Sequence, residues 1–177
     1  VEQYHDLGRS FFGNDDTKQI PQDFIPLSDL SCQKAKGVLK AHFDGRFVVF
    51  CPFATNLHQG QNKEWPHWRH FVSDYRDKPL LGLVAPQDVA RFKKEFPGTP
   101  VISESLSVTA AIMREADHVV TNDSGAMHLA SFFGAQVLGL LGVTNALETR
   151  PWHGNHLTSV EGKWATCRDV IDHLSLS

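Results

Sequence analysis

The stretch HVVTNDSGAMHLASFFGAQVLGLL, residues 118–141, predicts a strand, a turn, a helix and a second strand. The β-branched run at its start and the apolar run over 136–141 are typical of buried strands. Between them, apolar side chains recur at helical spacing over 125–133, and Gly134 fits a helix stop. The expected buried face of this helix consists of Ala126, Leu129, Ala130 and Phe133. This order of elements predicts a parallel βαβ unit.

The same alternation runs through the chain from residue 46. Further strands are predicted at 46–51, 79–84, 100–102 and 156–160. Further helices are predicted at 28–43, 65–76, 86–96, 107–116 and 164–174, with a long loop before residue 156. Strands that alternate with helices predict an α/β, Rossmann-like, doubly wound and mostly parallel sheet.

The N-terminal part of the chain lacks this alternation of strands and helices. We expect residues 1–27 to form an N-terminal helix and a proline-containing linker, and residues 28–177 to form one domain. The sequence begins with Val1 rather than methionine, so we expect a fragment of a longer chain.

Composition excludes several classes of protein. The chain is 41% hydrophobic and 21% charged, which is ordinary for a globular protein. Its net charge of −3 provides no basic field, so we expect no nucleic-acid partner. Three cysteines without a C-x-x-C pattern favour a reducing compartment, and no run is long enough to span a membrane. With no signal peptide at the start, these features favour a cytoplasmic location.

The turn at 122–125 places several functional groups at the start of a helix. A helix that begins near Ser124 leaves its first N–H groups unpaired, and Gly125 allows a ligand to approach the backbone closely. Such a helix start is an anion site, most simply for phosphate, and His128 lies one turn further on. Asp123 would repel phosphate, so it either caps the helix or faces hydroxyl groups. The spacing alone is equally compatible with an ordinary capped helix that carries an incidental histidine.

The loop after strand 46–51 offers fewer clues. Lys63 could provide the countercharge of a phosphate, or it could be a solvated surface lysine. Thr55 and Asn56 could donate hydrogen bonds. The histidine pairs His67/His70 and His153/His156 lack the further ligands that a metal site needs, so we expect no metal. Walker, G-x-S-x-G and G-x-G-x-x-G motifs are absent from the sequence.

Two segments in this order resemble the family 9 glycosyltransferases, the ADP-heptose:lipopolysaccharide heptosyltransferases. The first segment runs from VVFCPF to NKEWP, where Lys63, Trp65 and Pro66 match a K-x-W-P motif. The second is TNDSGAMHLA with the G-x-T and proline that follow it. Its matching residues are Asp123, Ser124, Gly125, His128, Leu129, Ala130, Gly134, Gly142, Thr144 and Pro151. The resemblance covers nearly the whole chain, although the loop between Pro52 and Lys63 departs from the family's usual glycine- and serine-containing form.

The resemblance implies a GT-B architecture of two Rossmann-like domains, of which this chain would be the C-terminal, donor-binding one. By that likeness, Lys63 would contact the donor phosphates, and Ser124, Gly125 and His128 would bind the diphosphate. Asp123 would face the donor near its sugar, and Gly142–Thr144 would border the cleft. No catalytic residue is expected in this chain, because in this family the carboxylate proposed as general base lies in the N-terminal domain.

The resemblance also implies an activity. The donor would be a nucleotide-diphospho-sugar such as ADP-heptose, and the acceptor a lipopolysaccharide core or related glycan, with no metal cofactor. A location at the inner face of the inner membrane, with peripheral membrane association, is compatible with that acceptor. Two alternatives stay open: a non-catalytic module that binds a nucleotide or a partner chain, and a GT-B-like enzyme that uses a UDP-sugar.

Overall fold

The structure, a computed structural model, describes residues 24–76 and 78–175. The strands of this region are β1 (Val48–Cys51), β2 (Leu80–Leu83), β3 (Val101–Ile102), β4 (His118–Asn122), β5 (Val137–Leu141) and β6 (Asn155–Thr158). Its helices are α1 (Asp29–Leu39), α2 (Trp68–Asp74), α3 (Val89–Glu95), α4 (Leu106–Glu115), α5 (Gly125–Phe132), α6 (Ala146–Thr149) and α7 (Cys167–Ser175). A short 3₁₀ helix, Pro86–Asp88, leads into α3.

The six strands form one parallel sheet in the order β3-β2-β1-β4-β5-β6. The chain builds outward from β1 to β3, then crosses to the other side of β1 and builds outward again. This confirms the predicted α/β Rossmann-like fold. The order reverses between β1 and β4, where Val49 pairs with Val119. Ligands of doubly wound sheets bind at such a reversal, outside the carboxyl ends of the strands.

Helices cover both faces of the sheet, and each face has its own core. On one face, α1, α4 and α5 pack against Val49, Val119 and other buried aliphatic side chains. On the other face, α2, α3 and α7 enclose an aromatic cluster around Phe50, whose ring centroid lies 5.4 Å from that of Phe92 and 5.7 Å from that of Trp68. Full burial of each such side chain contributes about 1.5–3 kcal/mol, so these two layers hold the strand ends in place.

Most predicted elements are present with small shifts at their ends, and two differ. Helix α1 ends at Leu39 rather than at residue 43, because Phe43 turns back to stack on Phe47 with ring centroids 5.1 Å apart. Helix α6 lies within the predicted long loop. Its cap is Asn145, whose side chain accepts a hydrogen bond from the Leu147 N–H. A helix of four residues is too short to produce a periodic pattern.

The predicted buried face of α5 is partly wrong. The fully buried side chains are Met127, Ala130 and Ser131, whereas Ala126 and Leu129 are half-buried. Met127 fits against the sheet where Gly139 leaves room, since a Cβ on that glycine would lie 2.6 Å from the Met127 sulfur. The helix is therefore rotated relative to the prediction: Ala126 and Leu129 lie between the core and an open cleft, and Phe133 is also only half-buried.

The predicted N-terminal helix, and most of the predicted linker, lie outside the described residues. The linker's last residues, 24–27, have no regular secondary structure, and the Ile25 N–H donates to the carbonyl of Phe132 at the end of α5. Within the part of the chain that the structure describes, no helix is long and apolar enough to cross a membrane.

Gly82 in β2 allows the aromatic core to close. A Cβ at this position would lie 2.1 Å from the Phe92 ring, so we expect Gly82→Ala to lower the free energy of unfolding by about 1–3 kcal/mol. Urea unfolding measures this, and Phe92→Leu in the same chain should recover part of the loss. Gly37→Ala is the matched control. It lies in an exposed part of α1 with nothing within 4 Å of its Cβ, and it should be stabilising by about 1 kcal/mol. Equal effects at both glycines would contradict this account.

Candidate functional site

A cleft of about 740 Å³ opens at the carboxyl ends of β1 to β4. Its walls come from the segments after β1, β2 and β3, the inner side of α4, and the first turns of α5. The apolar part of the wall consists of Phe53, Leu83, Met113, Leu129 and Phe132. The polar part consists of Thr55, Asp88, Glu104, Ser105, Thr109 and Ser124. The cleft thus combines a broad apolar surface with a few polar groups, which is typical of small-molecule sites.

The first turn of α5 faces this cleft without a side-chain cap. Ser124 is the N-cap residue in an extended conformation, and its side chain makes no capping hydrogen bond. Its Oγ is buried and has no hydrogen-bond partner. Gly125 is exposed, with nothing within 4 Å of a Cβ placed on it. The helix therefore begins at the cleft without a side-chain cap for its first N–H groups, and an unpartnered hydroxyl is buried beside them.

Lys63 and Asp123 meet beside this helix start. The Lys63 Nζ lies 3.7 Å from the Asp123 Oδ2, and the side chains are 17% and 5% exposed. The Asp123 Oδ2 is buried and has no hydrogen-bond partner. The two alternatives predicted for Asp123 were a helix cap and a contact with hydroxyl groups. The described hydrogen bonds include no cap from this side chain, and its neighbour is a cation, so in this structure it is the counter-ion of Lys63.

His128 is half-buried on α5 and is not part of the cleft wall. Burial lowers the pKa of its imidazole below the ordinary value, while the Asp123 carboxylate opposes this shift and Lys63 adds to it. The imidazole is therefore neutral at pH 7, with one nitrogen that donates and one that accepts.

Asn122, which the sequence interpretation missed, joins the two predicted motifs. Its side chain is fully buried at the end of β4. The amide nitrogen donates to the carbonyls of Pro52 at 2.7 Å and Cys51 at 3.4 Å. The amide oxygen accepts the backbone N–H of Trp65 at 2.8 Å and the indole N–H of Trp68 at 3.1 Å. The sequence did contain a signal for this role, because Asn122 is a polar residue at the end of an apolar strand.

Of the remaining predicted site residues, some line the cleft and others lie outside it. Thr55 lines the cleft, whereas the exposed Asn56 does not. Gly142 is covered by Trp164, since a Cβ there would lie 2.1 Å from the indole, so this glycine serves packing rather than the approach of a ligand. Thr144 follows β5, outside the cleft wall, and its Oγ1 is buried without a partner.

Buried polar atoms without partners concentrate at one edge of the sheet. Within the described residues, the side-chain atoms of this kind are Ser103 Oγ, Asp123 Oδ2, Ser124 Oγ and Thr144 Oγ1. All of them follow the carboxyl ends of β3, β4 or β5. An unpartnered buried polar group costs about 1–3 kcal/mol, so their concentration at the strand ends indicates a ligand site.

Two kinds of chemistry find no support in this geometry. The Cys51 thiol borders the cleft, but burial raises its pKa to about 12, which keeps it protonated and unreactive. In the described part of the chain, no group of three or more histidine, cysteine, aspartate or glutamate side chains could hold a metal ion.

Known proteins resemble this chain in sequence and in fold. The sequence model of glycosyltransferase family 9 (heptosyltransferase) matches residues 1–172. E. coli heptosyltransferase WaaC with ADP aligns with a TM-score of 0.69 and 20% identity, over 97% of this chain and 55% of that one. A family 9 glycosyltransferase from Veillonella parvula aligns with a TM-score of 0.73 and 19% identity, over 89% and 47%.

E. coli ADP-heptose lps heptosyltransferase II aligns with a TM-score of 0.69 and 17% identity, over 89% of this chain and 55% of that one. The chain thus spans about half the length of these solved structures. A search of curated protein sequences finds no match.

The neutral state of buried His128 makes stability depend on pH. An unfolded histidine takes up a proton below about pH 6.5, and the folded one resists protonation to lower pH. Its contribution is therefore present above the unfolded pKa and lost as the pH falls through the lower folded pKa. Urea unfolding between pH 7.5 and 5 should show a smaller loss of stability for His128→Gln than for the native chain. Coincident pH profiles would contradict the assignment.

Proposed function

The chain belongs to glycosyltransferase family 9, and we propose that it is the donor-binding half of an enzyme that transfers heptose from ADP-heptose to a lipopolysaccharide core or related glycan. The observation that carries this proposal is the uncapped start of α5, with its unpartnered Ser124 hydroxyl, beside Lys63 and the apolar cleft. The free N–H groups and the cation suit a diphosphate, and the apolar wall suits the base of a nucleoside. Together they match a nucleoside diphosphate.

We assign each part of the donor to a part of this edge of the sheet. The adenine ring would lie against the apolar wall of the cleft, and the ribose hydroxyls near Asp88 and Glu104, whose carboxylates are acceptors. The diphosphate would lie at the N–H groups of Ser124 and Gly125. A phosphate oxygen would then compete with Asp123 for Lys63, which no hydrogen bond ties to the carboxylate at 3.7 Å.

In the proposed reaction, an acceptor hydroxyl oxygen bonds to the anomeric carbon of the donor. The bond from that carbon to the diphosphate oxygen breaks, and ADP leaves with the electron pair. The hydroxyl proton passes to a general base, which we assign to a domain outside this sequence by the resemblance to the family. The role of this chain is to stabilise the negative charge that grows on the diphosphate, through the α5 N–H groups, Lys63 and the neutral imidazole of His128 as a hydrogen-bond donor.

A non-catalytic binding module is the second candidate, and one observation favours it. Three leucines after the ends of β1, β3 and β5 are exposed: Leu57, Leu106 and Leu147. They lie at the same edge of the sheet as the cleft and could contact a partner chain instead of a second catalytic domain. The length of the natural open reading frame and a transfer assay on its product distinguish the two candidates. A product that binds ADP and transfers no sugar to any glycan would favour the module.

Loss of the Lys63 charge should weaken the binding of ADP. We expect Lys63→Met to reduce ADP affinity about tenfold in titration calorimetry, because a charge-assisted contact to phosphate is lost. Lys93→Met, which removes an exposed lysine from α3, is the matched control and should bind ADP as the native chain does. UDP should bind more weakly than ADP if the apolar wall accepts a purine. No ADP binding by the folded native chain at millimolar ligand would refute the proposed function.

We also propose that donor binding requires no divalent metal, because the helix start and Lys63 provide the countercharge. ADP affinity measured with EDTA should agree within about twofold with that measured with magnesium, well below the tenfold that corresponds to 1.4 kcal/mol. Binding that disappears in EDTA would show that a metal ion carries the diphosphate.

A further inference from the structure

We propose that Asn122 is a positioning residue that fixes Lys63 at the donor site. Its side-chain amide ties the segment that carries Lys63 to the end of β4, directly before Asp123 and Ser124. This inference rests on the proposed function, because it assigns Lys63 to the phosphates of the same donor. Asn122 itself would not contact the donor. It would act through Lys63, whose position it fixes.

Lys63 is held from its C-terminal side by Trp65. The Trp65 backbone N–H donates to the Asn122 Oδ1 at 2.8 Å across 57 residues of sequence. Its indole N–H donates to the Ala165 carbonyl at 2.7 Å, and only 1% of the residue is exposed. Only Glu64 separates this anchored backbone from Lys63, so the direction of Lys63 depends on where Asn122 holds the chain.

The neighbouring Glu64 holds the same segment from another side. Its carboxylate accepts two hydrogen bonds from Arg91, at 2.8 and 2.7 Å, and one from the Ala54 N–H at 3.2 Å. The Arg91 guanidinium also lies 3.9 Å from the centroid of the Phe53 ring. The Arg91–Glu64 pair ties the segment to α3. Asn122 ties it instead to β4, the strand that leads into the turn of Asp123, Ser124 and Gly125 (the DSG turn). Of these two anchors, Asn122 therefore sets the position of Lys63 relative to Asp123 and Ser124.

An amide suits this position because it needs a donor and an acceptor at once. The carbonyls of Pro52 and Cys51 require a donor, and the N–H groups of Trp65 and Trp68 require an acceptor. A carboxylate would only accept, and an aliphatic side chain would leave these groups unpaired in a site without solvent. The amide thus fixes the distance between the segments that follow β1 and β4, where the sheet itself leaves a crevice.

Adenosine and ADP distinguish this role from a general effect on stability. We expect Asn122→Ala to weaken ADP binding about tenfold in titration calorimetry and to leave adenosine binding unchanged, because only the phosphates use Lys63. In a Lys63→Met background, Asn122→Ala should cause no further loss of ADP affinity, since the group that it positions is gone. Near-ultraviolet circular dichroism confirms that the variant is folded.

Ser131→Ala is the matched control. Ser131 is also a fully buried polar residue, and it exchanges hydrogen bonds with the backbone of His153. Its loss should reduce stability without changing the affinity for ADP. If Asn122→Ala does not fold, Asn122→Ser takes its place, and failure of both variants to fold would overturn the inference in favour of a purely structural role.

The possible outcomes separate the inference from the proposed function. A native chain that binds no ADP would refute the proposed function and this inference with it. A native chain that binds ADP would overturn the inference alone in any of three cases. In the first case, the folded Asn122 variant binds ADP with the native affinity. In the second, its affinities for ADP and for adenosine fall by the same factor. In the third, its loss of ADP affinity adds to the loss caused by Lys63→Met.

Discussion

The four hydrogen bonds of the Asn122 amide are the constraint on which the candidate site depends. A doubly wound sheet separates the segments that follow β1 and β4, because the strand order reverses between them. That separation creates a crevice for a ligand, but it also removes the strand pairing that would otherwise align the two segments. A buried amide restores the alignment without filling the crevice, and it brings the NKEWP segment to the DSG turn.

The two cores explain why polar atoms at the carboxyl ends of the strands can remain without hydrogen-bond partners. Aromatic packing around Phe50 on one face and aliphatic packing around Val49 on the other bury the strands almost completely. These layers fix the strand ends without help from the turns. The turns can therefore leave the Ser124 hydroxyl and an Asp123 oxygen unpartnered, at a cost of about 1–3 kcal/mol each. In the proposed function, the donor would satisfy groups that the fold leaves open.

The strands and helices could be predicted from sequence because their signals are local. β-Branched runs indicated the strands, and the polar turn before Gly125 indicated the start of α5. Contacts between distant segments could not be predicted in this way. The Trp65 N–H that Asn122 binds is 57 residues away in sequence, and the indole that covers Gly142 comes from a later loop. The approach of Lys63 to the DSG turn followed from the resemblance to a family, and its pairing with Asp123 followed only from the structure.

The Lys63–Asp123 pair gives the carboxylate at the start of α5 a role in the proposed function. Both side chains are largely buried, and their opposite charges lie 3.7 Å apart, so each provides the countercharge of the other next to the helix start. At 3.7 Å the pair has no hydrogen bond to break, so in the proposed function the ammonium can donate to a phosphate oxygen as a second partner. In that proposal, the carboxylate remains to compensate the cation when ADP leaves. In the proposed function, Asp123 thus reduces the affinity for the diphosphate by direct repulsion and preserves the group that binds it.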